Sequence, residues 1–355
     1  MKKLIFFLII VLSGYLGFAQ SKIFKAIRNG DIKFVSEYIS KGNDLNVLYK
    51  ASAIDEYSQN KISYSFEVLE YAATQGDEQI VKLLLNCKDR LSNFKASLNK
   101  AFAASISKGN KAVIKLLYDA GADINSVCQI CYNQSAIQTA LESSNFELFN
   151  YLQQNGANLN VHNSFGRTLL HSVAHTGSLE IARQLLEKGL DINIQDNDGA
   201  TPLIYAAYNG DPEMFKLFVE KGATIAIREN DGTDVLMNAA EKGNLDIINY
   251  LLDKNCNINI MNNDKDTPLI YAVEEKQLLV VKLLISKGAV VNISNGKGET
   301  ALLWAIWNDD VETAKLLIDN GADLKFMDYL KPAKKYIKDK TFINYLGEKL
   351  KEMGT

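Results

Sequence analysis

From Gly156 to Gly321 the chain repeats itself every 33 residues. The frame is carried by the tails Gln154-Asn155-Gly156-Ala157, Glu187-Lys188-Gly189-Leu190, Glu220-Lys221-Gly222-Ala223, Ser286-Lys287-Gly288-Ala289 and Asp319-Asn320-Gly321-Ala322. Lys254-Asn255-Cys256 falls in the same register. A period of this length marks stacked units, each too small to bury its own apolar face. It points to an array that presents a surface rather than to a globule closed around one core. It also overrides the two or three domains that a length of 355 residues would otherwise suggest.

One unit, Asp196 to Ile225, shows how the pattern works. Asn197-Asp198-Gly199 is a turn signal, with glycine free to take a positive φ. Thr201-Pro202 then opens a short helix: threonine caps the free N–H groups, and proline is tolerated at the first helical position. The paired Ala206 and Ala207 allow a neighbouring helix to approach closely, and Asn209-Gly210 ends the helix. Asp211-Pro212-Glu213 opens a second helix by the same logic, with Phe215, Leu217 and Phe218 as its apolar face and Gly222 at its end. The predicted unit is turn, short helix, turn, longer helix.

These residues resemble the ankyrin repeat. Thr201-Pro202-Leu203 and Thr267-Pro268-Leu269 match its opening motif, and the second-helix leucine pair recurs at Leu185-Leu186, Leu251-Leu252, Leu283-Leu284 and Leu316-Leu317. The closing Gly-Ala-x-apolar-Asn recurs at Gly121 to Asn125, Gly156 to Asn160 and Gly288 to Asn292. The resemblance weakens toward the start, through Ala103-Ala104 and Ala72-Ala73 to a divergent first copy around Ala26, Gly30 and Val35. It implies an all-α solenoid of helix-turn-helix units with hairpin-like loops. About nine repeats are expected over residues 20–325, followed by a degenerate capping repeat over 326–355. That last unit is rich in lysine, as expected of an end that faces water.

Two departures stand out. The histidine that usually follows Thr-Pro-Leu in the family, and helps tie adjacent loops, is present only as His171; Ile204, Met237, Ile270 and Leu303 stand in its place elsewhere. Apolar packing is expected to replace most of that tie. The period is also broken between Gly30 and Gly76, where 13 surplus residues fall in a loop around 47–65 that carries Tyr49, Tyr57 and Tyr64. Such insertions on repeat proteins often project from the binding side, and otherwise are tolerated surplus.

Catalytic chemistry finds little support. No Gly-rich phosphate loop, no Gly-x-Ser-x-Gly elbow and no His-Glu-x-x-His helix occurs, and three histidines leave little general-base capacity. No catalytic residue, cofactor or metal is expected. His171 and His175 lie four apart, but the first occupies the family's structural position and the second a variable surface one. Four cysteines are too few for a disulfide scaffold. Cys128 and Cys131, in a loop two residues longer than its neighbours, are candidates for a local disulfide, with a zinc site completed by His162 as the outside reading and reduced thiols as the plain one. Cys87 and Cys256 lie several repeats apart and are not expected to pair.

Residues 1–19 read as a signal peptide: Met1-Lys2-Lys3 is a basic head, Leu4 to Phe18 is almost unbroken apolar sequence, and Gly17-Phe18-Ala19 supplies small residues for cleavage. The apolar run is short for a membrane span. Export to the periplasm or the exterior is therefore expected, with no membrane span after cleavage. Loss of Lys2 and Lys3 takes the formal net charge from −3 to −5, which argues against a nucleic-acid partner.

In ankyrin repeats partners meet the loop tips and the exposed side of the first helices. Carried over position by position, this selects His175 and Thr176, Tyr208 and Asn209, Glu241 and Lys242, Glu274 and Glu275, and Trp307 and Asn308. The tips add Phe165, Arg167, Asn197, Asp198, Arg228 and Asp231. Tyr208 and Trp307 are the residue types that anchor interfaces. The resemblance thus implies a non-enzymatic, monomeric scaffold that holds a protein partner on the concave face of the solenoid. The alternative is a redox or metal-handling protein centred on the Cys128/Cys131 loop.

Overall fold

The computed structural model describes residues 22–54, 61–128, 132–324 and 340–352. The expected signal peptide, Cys131 and most of the segment joining the last repeat to the cap lie outside these residues. By its contacts the chain divides into two compact units, Met1–Ser172 and Val173–Thr355.

The first unit runs α1 (Lys22–Arg28), α2 (Ile32–Ser40), β1 (Leu48–Ile54), β2 (Lys61–Glu67), α3 (Val68–Gln75), α4 (Glu78–Leu85), α5 (Phe94–Ile106), α6 (Lys111–Asp119), β3 (Val127–Cys128), β4 (Gln134–Ser135), α7 (Ala136–Glu142) and α8 (Phe146–Gln154). It ends inside α9 (Leu169–Thr176). First helices pack on first helices, α1 on α3, α3 on α5 and α5 on α7, while second helices pack on second helices.

The surplus between Gly30 and Gly76 is not a plain loop. It forms an antiparallel hairpin in which Leu48 faces Glu67 and Ile54 faces Lys61. Its base is locked to the first repeat by aromatic packing. Tyr49 is buried, with its ring 5.4 Å from that of Phe24 and 4.7 Å from that of Tyr71. Arg28 clamps both phenols, donating from Nε to the Tyr71 hydroxyl at 3.1 Å and from Nη2 to the Tyr49 hydroxyl at 3.0 Å.

The second unit contains α10 (Leu179–Glu187), α11 (Pro202–Asn209), α12 (Pro212–Glu220), α13 (Val235–Lys242), α14 (Leu245–Asp253), α15 (Pro268–Glu274), α16 (Leu278–Ser286), α17 (Ala301–Trp307), α18 (Val311–Asp319) and α19 (Lys340–Glu352). The start signals act as the sequence implies. Thr201 Oγ1 accepts the Ile204 N–H with Pro202 behind it, and Asp211 Oδ1 accepts the N–H groups of Glu213 and Met214. Each cap meets donors that the helix itself leaves free. Met214, Phe215, Leu217 and Phe218 are buried along one face of α12, and Ile247, Ile248 and Leu251 along α14. First helices α11, α13, α15 and α17 stack in one row, and second helices α10, α12, α14, α16 and α18 in another. Helix α19 closes this unit, with Phe342 and Leu346 buried and the Tyr345 hydroxyl donating to Asp319 at 2.8 Å.

Loop tips join along the second unit by bonds that recur at the repeat spacing. Asn230 N–H donates to the Asp198 carbonyl at 2.9 Å and Asn263 N–H to the Asp231 carbonyl at 2.8 Å. The Asn230 and Asn263 side chains add bonds to the carbonyls of Asn197 and Asn230. Closing asparagines of the second unit also reach forward: Asn193 and Asn259 accept from the N–H groups of Thr224 and Val290, and Asn292 Oδ1 accepts from Asp323 N–H while its Nδ2 donates to the Gly321 carbonyl. At the tip position Gly199, Gly232 and Gly298 have φ near +80°, where an L side chain is strained. Lys265 holds the equivalent position at φ +64°.

The expected replacement of the histidine tie by apolar packing is corrected by these contacts. His171 does act as the family residue would, its Nδ1 accepting from the Thr168 N–H at 3.1 Å. In the later repeats the tie is still polar but has moved one residue along the helix. The Tyr205 hydroxyl donates to Asp196 at 2.8 Å, and Asn238 Nδ2 to Glu229 at 2.8 Å. Asn262 Nδ2 donates to the Tyr271 hydroxyl at 3.1 Å. Adjacent loops are joined by the contact of Thr233 Oγ1 with the Tyr271 hydroxyl and by the Asn295 amide donating to Asp266. Burying these groups unpaired would cost more than the apolar substitution gains, so they are retained as pairs.

Candidate interaction face

In the second unit the side chains singled out from the sequence fall on the C-terminal ends of successive first helices. His175 is half-buried, with Nδ1 3.4 Å from Asn209 Oδ1. Tyr208 is half-buried too, and the Lys242 ammonium sits 4.1 Å from its ring centre. Lys242 also pairs with Glu241 at 2.7 Å. Burial works against its positive charge, but the Glu241 carboxylate and Tyr208 outweigh that and raise its pKa. Charge at this point of the face is therefore neutralised and ordered.

Two of the expected contact residues hold the array together. Asn209 Nδ2 donates to the Ala174 carbonyl at 3.1 Å, and Asn308 Nδ2 to the carbonyls of Val273 and Glu274. Asn244 and Gln277 make the same backward tie, to Ala207 and Glu241. Arg228 is exposed and reaches the Met261 carbonyl at 3.3 Å. Asn197, Asp198 and Asp231 take part in the tip ladder through their carbonyls. In the first unit, Arg167 lies 5.0 Å from the Phe165 ring centre, which packs in turn on Tyr132.

Glu274, Glu275 and Trp307 remain open. The two glutamates are exposed, and burial followed by the charges of Asp266, Glu275, Glu241 and Glu299 raises the pKa of Glu274. Trp307 is 38% exposed and meets Trp304 edge to face at 5.5 Å.

Sequence reasoning passed over a second column, Tyr205, Asn238, Tyr271 and Trp304, and the loop residues Asp196, Glu229, Asn262 and Asn295, of which the first three bond the column residue of their own repeat. Both sets recur at the repeat spacing, which is the signal that marks them. Burial pushes Glu229 up to about 7; the Asn238 amide opposes the shift, while Asp231, Asp196 and Asp198 add to it. Burial likewise raises Asp234, against the Met237 N–H and Arg228.

Cys128 is buried beside Ala103 and is disulfide-bonded; its expected partner, Cys131, lies outside the described residues. Cys87 and Cys256 are free thiols. Among the described residues no three His, Cys, Asp or Glu side chains are grouped as a metal site requires, and no helix is long and apolar enough to cross a membrane.

Helix hairpins stacked edge to edge, capped and tied in this way, define a repeat array. A family model for ankyrin repeats, three copies long, matches residues 23–128, 136–229, 205–295 and 236–328. The chain belongs to the ankyrin repeat family. No curated protein matches it significantly. Ankyrin repeats generally mediate protein–protein interaction.

Proposed function

We propose that the chain is an exported, non-enzymatic scaffold of about nine repeats and a cap, which holds a protein partner on its first-helix face and loop tips. The observation that carries this reading is the row Tyr208, Glu241–Lys242, Glu274 and Trp307. These positions recur once per repeat on packed helices, stay open or half-open, and combine aromatic area with charge. Interfaces draw most of their energy from such aromatic anchors set among polar neighbours. The buried, disulfide-bonded Cys128 supports a structural part for its loop. Export rests on the basic head, apolar run and small residues of 1–19.

The test is quantitative affinity purification from the source cell, comparing the native chain with the double variant Tyr208→Ala/Trp307→Ala. A partner held by the native chain and lost by the variant, at matched helical content by circular dichroism, supports this face as the interface, because unfolding is then excluded as the cause. Equal capture of every protein by both chains removes this face from the interface. N-terminal sequencing of the exported chain should begin at Gln20 or Ser21.

A further inference from the structure

Both tryptophans of the chain, Trp304 and Trp307, lie on the single helix α17. They meet edge to face, with Trp307 open to solvent and Trp304 half-buried. Trp304 occupies the position at which Tyr205 and Tyr271 bond to their loops. Its own indole Nε1 is buried and has no hydrogen-bond partner among the described residues. The residue equivalent to their loop partners, Asn295, instead turns its amide to Asp266 of the preceding loop at 2.9 Å and to Glu299 of its own loop at 2.8 Å, gathering two carboxylates from adjacent repeats.

Acids gather on the helix packed against this aromatic pair and on the loops beside it. Glu274 holds on α15 the position that Trp307 holds on α17, and the two helices pack together. Asp266, Glu275, Glu241 and Glu299 all act on Glu274. Among the described residues no lysine or arginine forms an ion pair with Asp266, Glu274, Glu275 or Glu299. Of the neighbouring bases, Lys242 is engaged with Glu241 and Tyr208 and Lys276 with the Asn308 carbonyl, while Lys265 and Lys297 stand exposed on the loops. The repeats supply such a cation themselves at Tyr208, where Lys242 covers the ring. At Trp307 the aromatic is present, carboxylates stand on the neighbouring helix and loops, and among the described residues no cation lies over the ring.

We infer that the α17 face docks a basic, arginine-bearing segment of the protein partner, with a guanidinium set against Trp307 among the carboxylates of Glu274, Glu299 and Asp266. This rests on the scaffold reading above and names the chemistry of its partner. Arginine suits the site better than lysine because its planar, weakly hydrated cation stacks on an indole while its N–H fork pairs a carboxylate.

Because no tryptophan lies elsewhere, intrinsic indole fluorescence reports on this face alone. The full exported chain is titrated with a blocked nine-residue peptide of alternating arginine and serine, and with its counterpart in which citrulline replaces arginine. The inference expects a saturable fluorescence change with the arginine peptide that weakens as salt rises, and at least tenfold weaker binding of the citrulline peptide. Glu274→Gln/Glu299→Gln should weaken the arginine peptide by at least tenfold, whereas Glu180→Gln/Glu187→Gln, an equal charge change on α10, should leave it unaltered. Circular dichroism of each variant confirms that the helices are intact. The inference is overturned if the two peptides bind alike, if no saturable change occurs, if an uncharged apolar peptide binds as well, or if the α10 pair weakens binding equally. Should a partner still be lost on Tyr208→Ala/Trp307→Ala while arginine peptides fail, the docking face stands and its basic partner does not.

Discussion

The Asn238 side-chain amide donates to the Glu229 carboxylate at 2.8 Å, inside a column that places an acid or an amide at the same point of each of four consecutive loops. Among the described residues Glu229 has no ion-pair partner, and three aspartates add negative potential. Its folded pKa of about 7 exceeds the unfolded value, so the native state retains a proton that the unfolded state has released. Stability from this group is therefore complete below the unfolded pKa and is lost as pH rises toward and through 7.

Glu229→Gln keeps the acceptor for Asn238 and removes the ionisation. Urea unfolding should show the variant more stable than the native chain at pH 8, by about 1–3 kcal/mol, and little different at pH 4.5. Burial also pushes Glu70 of the first unit up to about 7, so the variant should flatten the pH profile without abolishing its slope.

Lys265 holds a left-handed conformation that glycine supplies at Gly199, Gly232 and Gly298. Relief of that strain is partly offset by the freer unfolded chain of glycine. Lys265→Gly should raise stability by about 0.5–1 kcal/mol, read as a shift of the denaturation midpoint at unchanged slope.

Leu251 is fully buried in α14. Leu251→Ala should cost about 2–5 kcal/mol, the sum of lost transfer energy and the cavity left between stacked helices. A loss well under that range in chemical denaturation would place Leu251 off the packed face.

Arg28 binds the phenols of Tyr49 and Tyr71 at once and so joins the β1–β2 hairpin to the first repeat. Arg28→Ala should leave the aromatic stack without its clamp. Limited proteolysis is expected to cut within 48–67 faster than in the native chain, with the later repeats unaffected; equal cutting rates would assign the hairpin's anchoring to the rings alone.

Much of the fold was legible because its signals are local. Thr201-Pro202 and Asp211-Pro212 state where helices begin, and the 33-residue spacing states which helices are equivalent. The surplus around 47–65 was visible as a break in period but not as a hairpin, because its pairing is secured by Arg28 and Tyr71, which lie outside the break. The polar column was missed for a similar reason. Attention to the family's histidine position fell on Ile204, Met237 and Ile270, while the bonding residue stood one place further on. Of the face, Glu274 and Trp307 are open, whereas Asn209 and Asn308 look outward in sequence yet bind backbone carbonyls of the preceding repeat.

The tip ladder has a consequence for how such a chain changes length. Asn230 gives to the loop before it and its carbonyl receives from Asn263, so every rung spans one step and none spans two. A tandem duplication of residues 230–262 would carry its own donor at one seam and its own acceptor at the other. Growth by whole copies is thus mechanically cheap for this protein, whereas an insertion of any other size breaks the ladder where it lands.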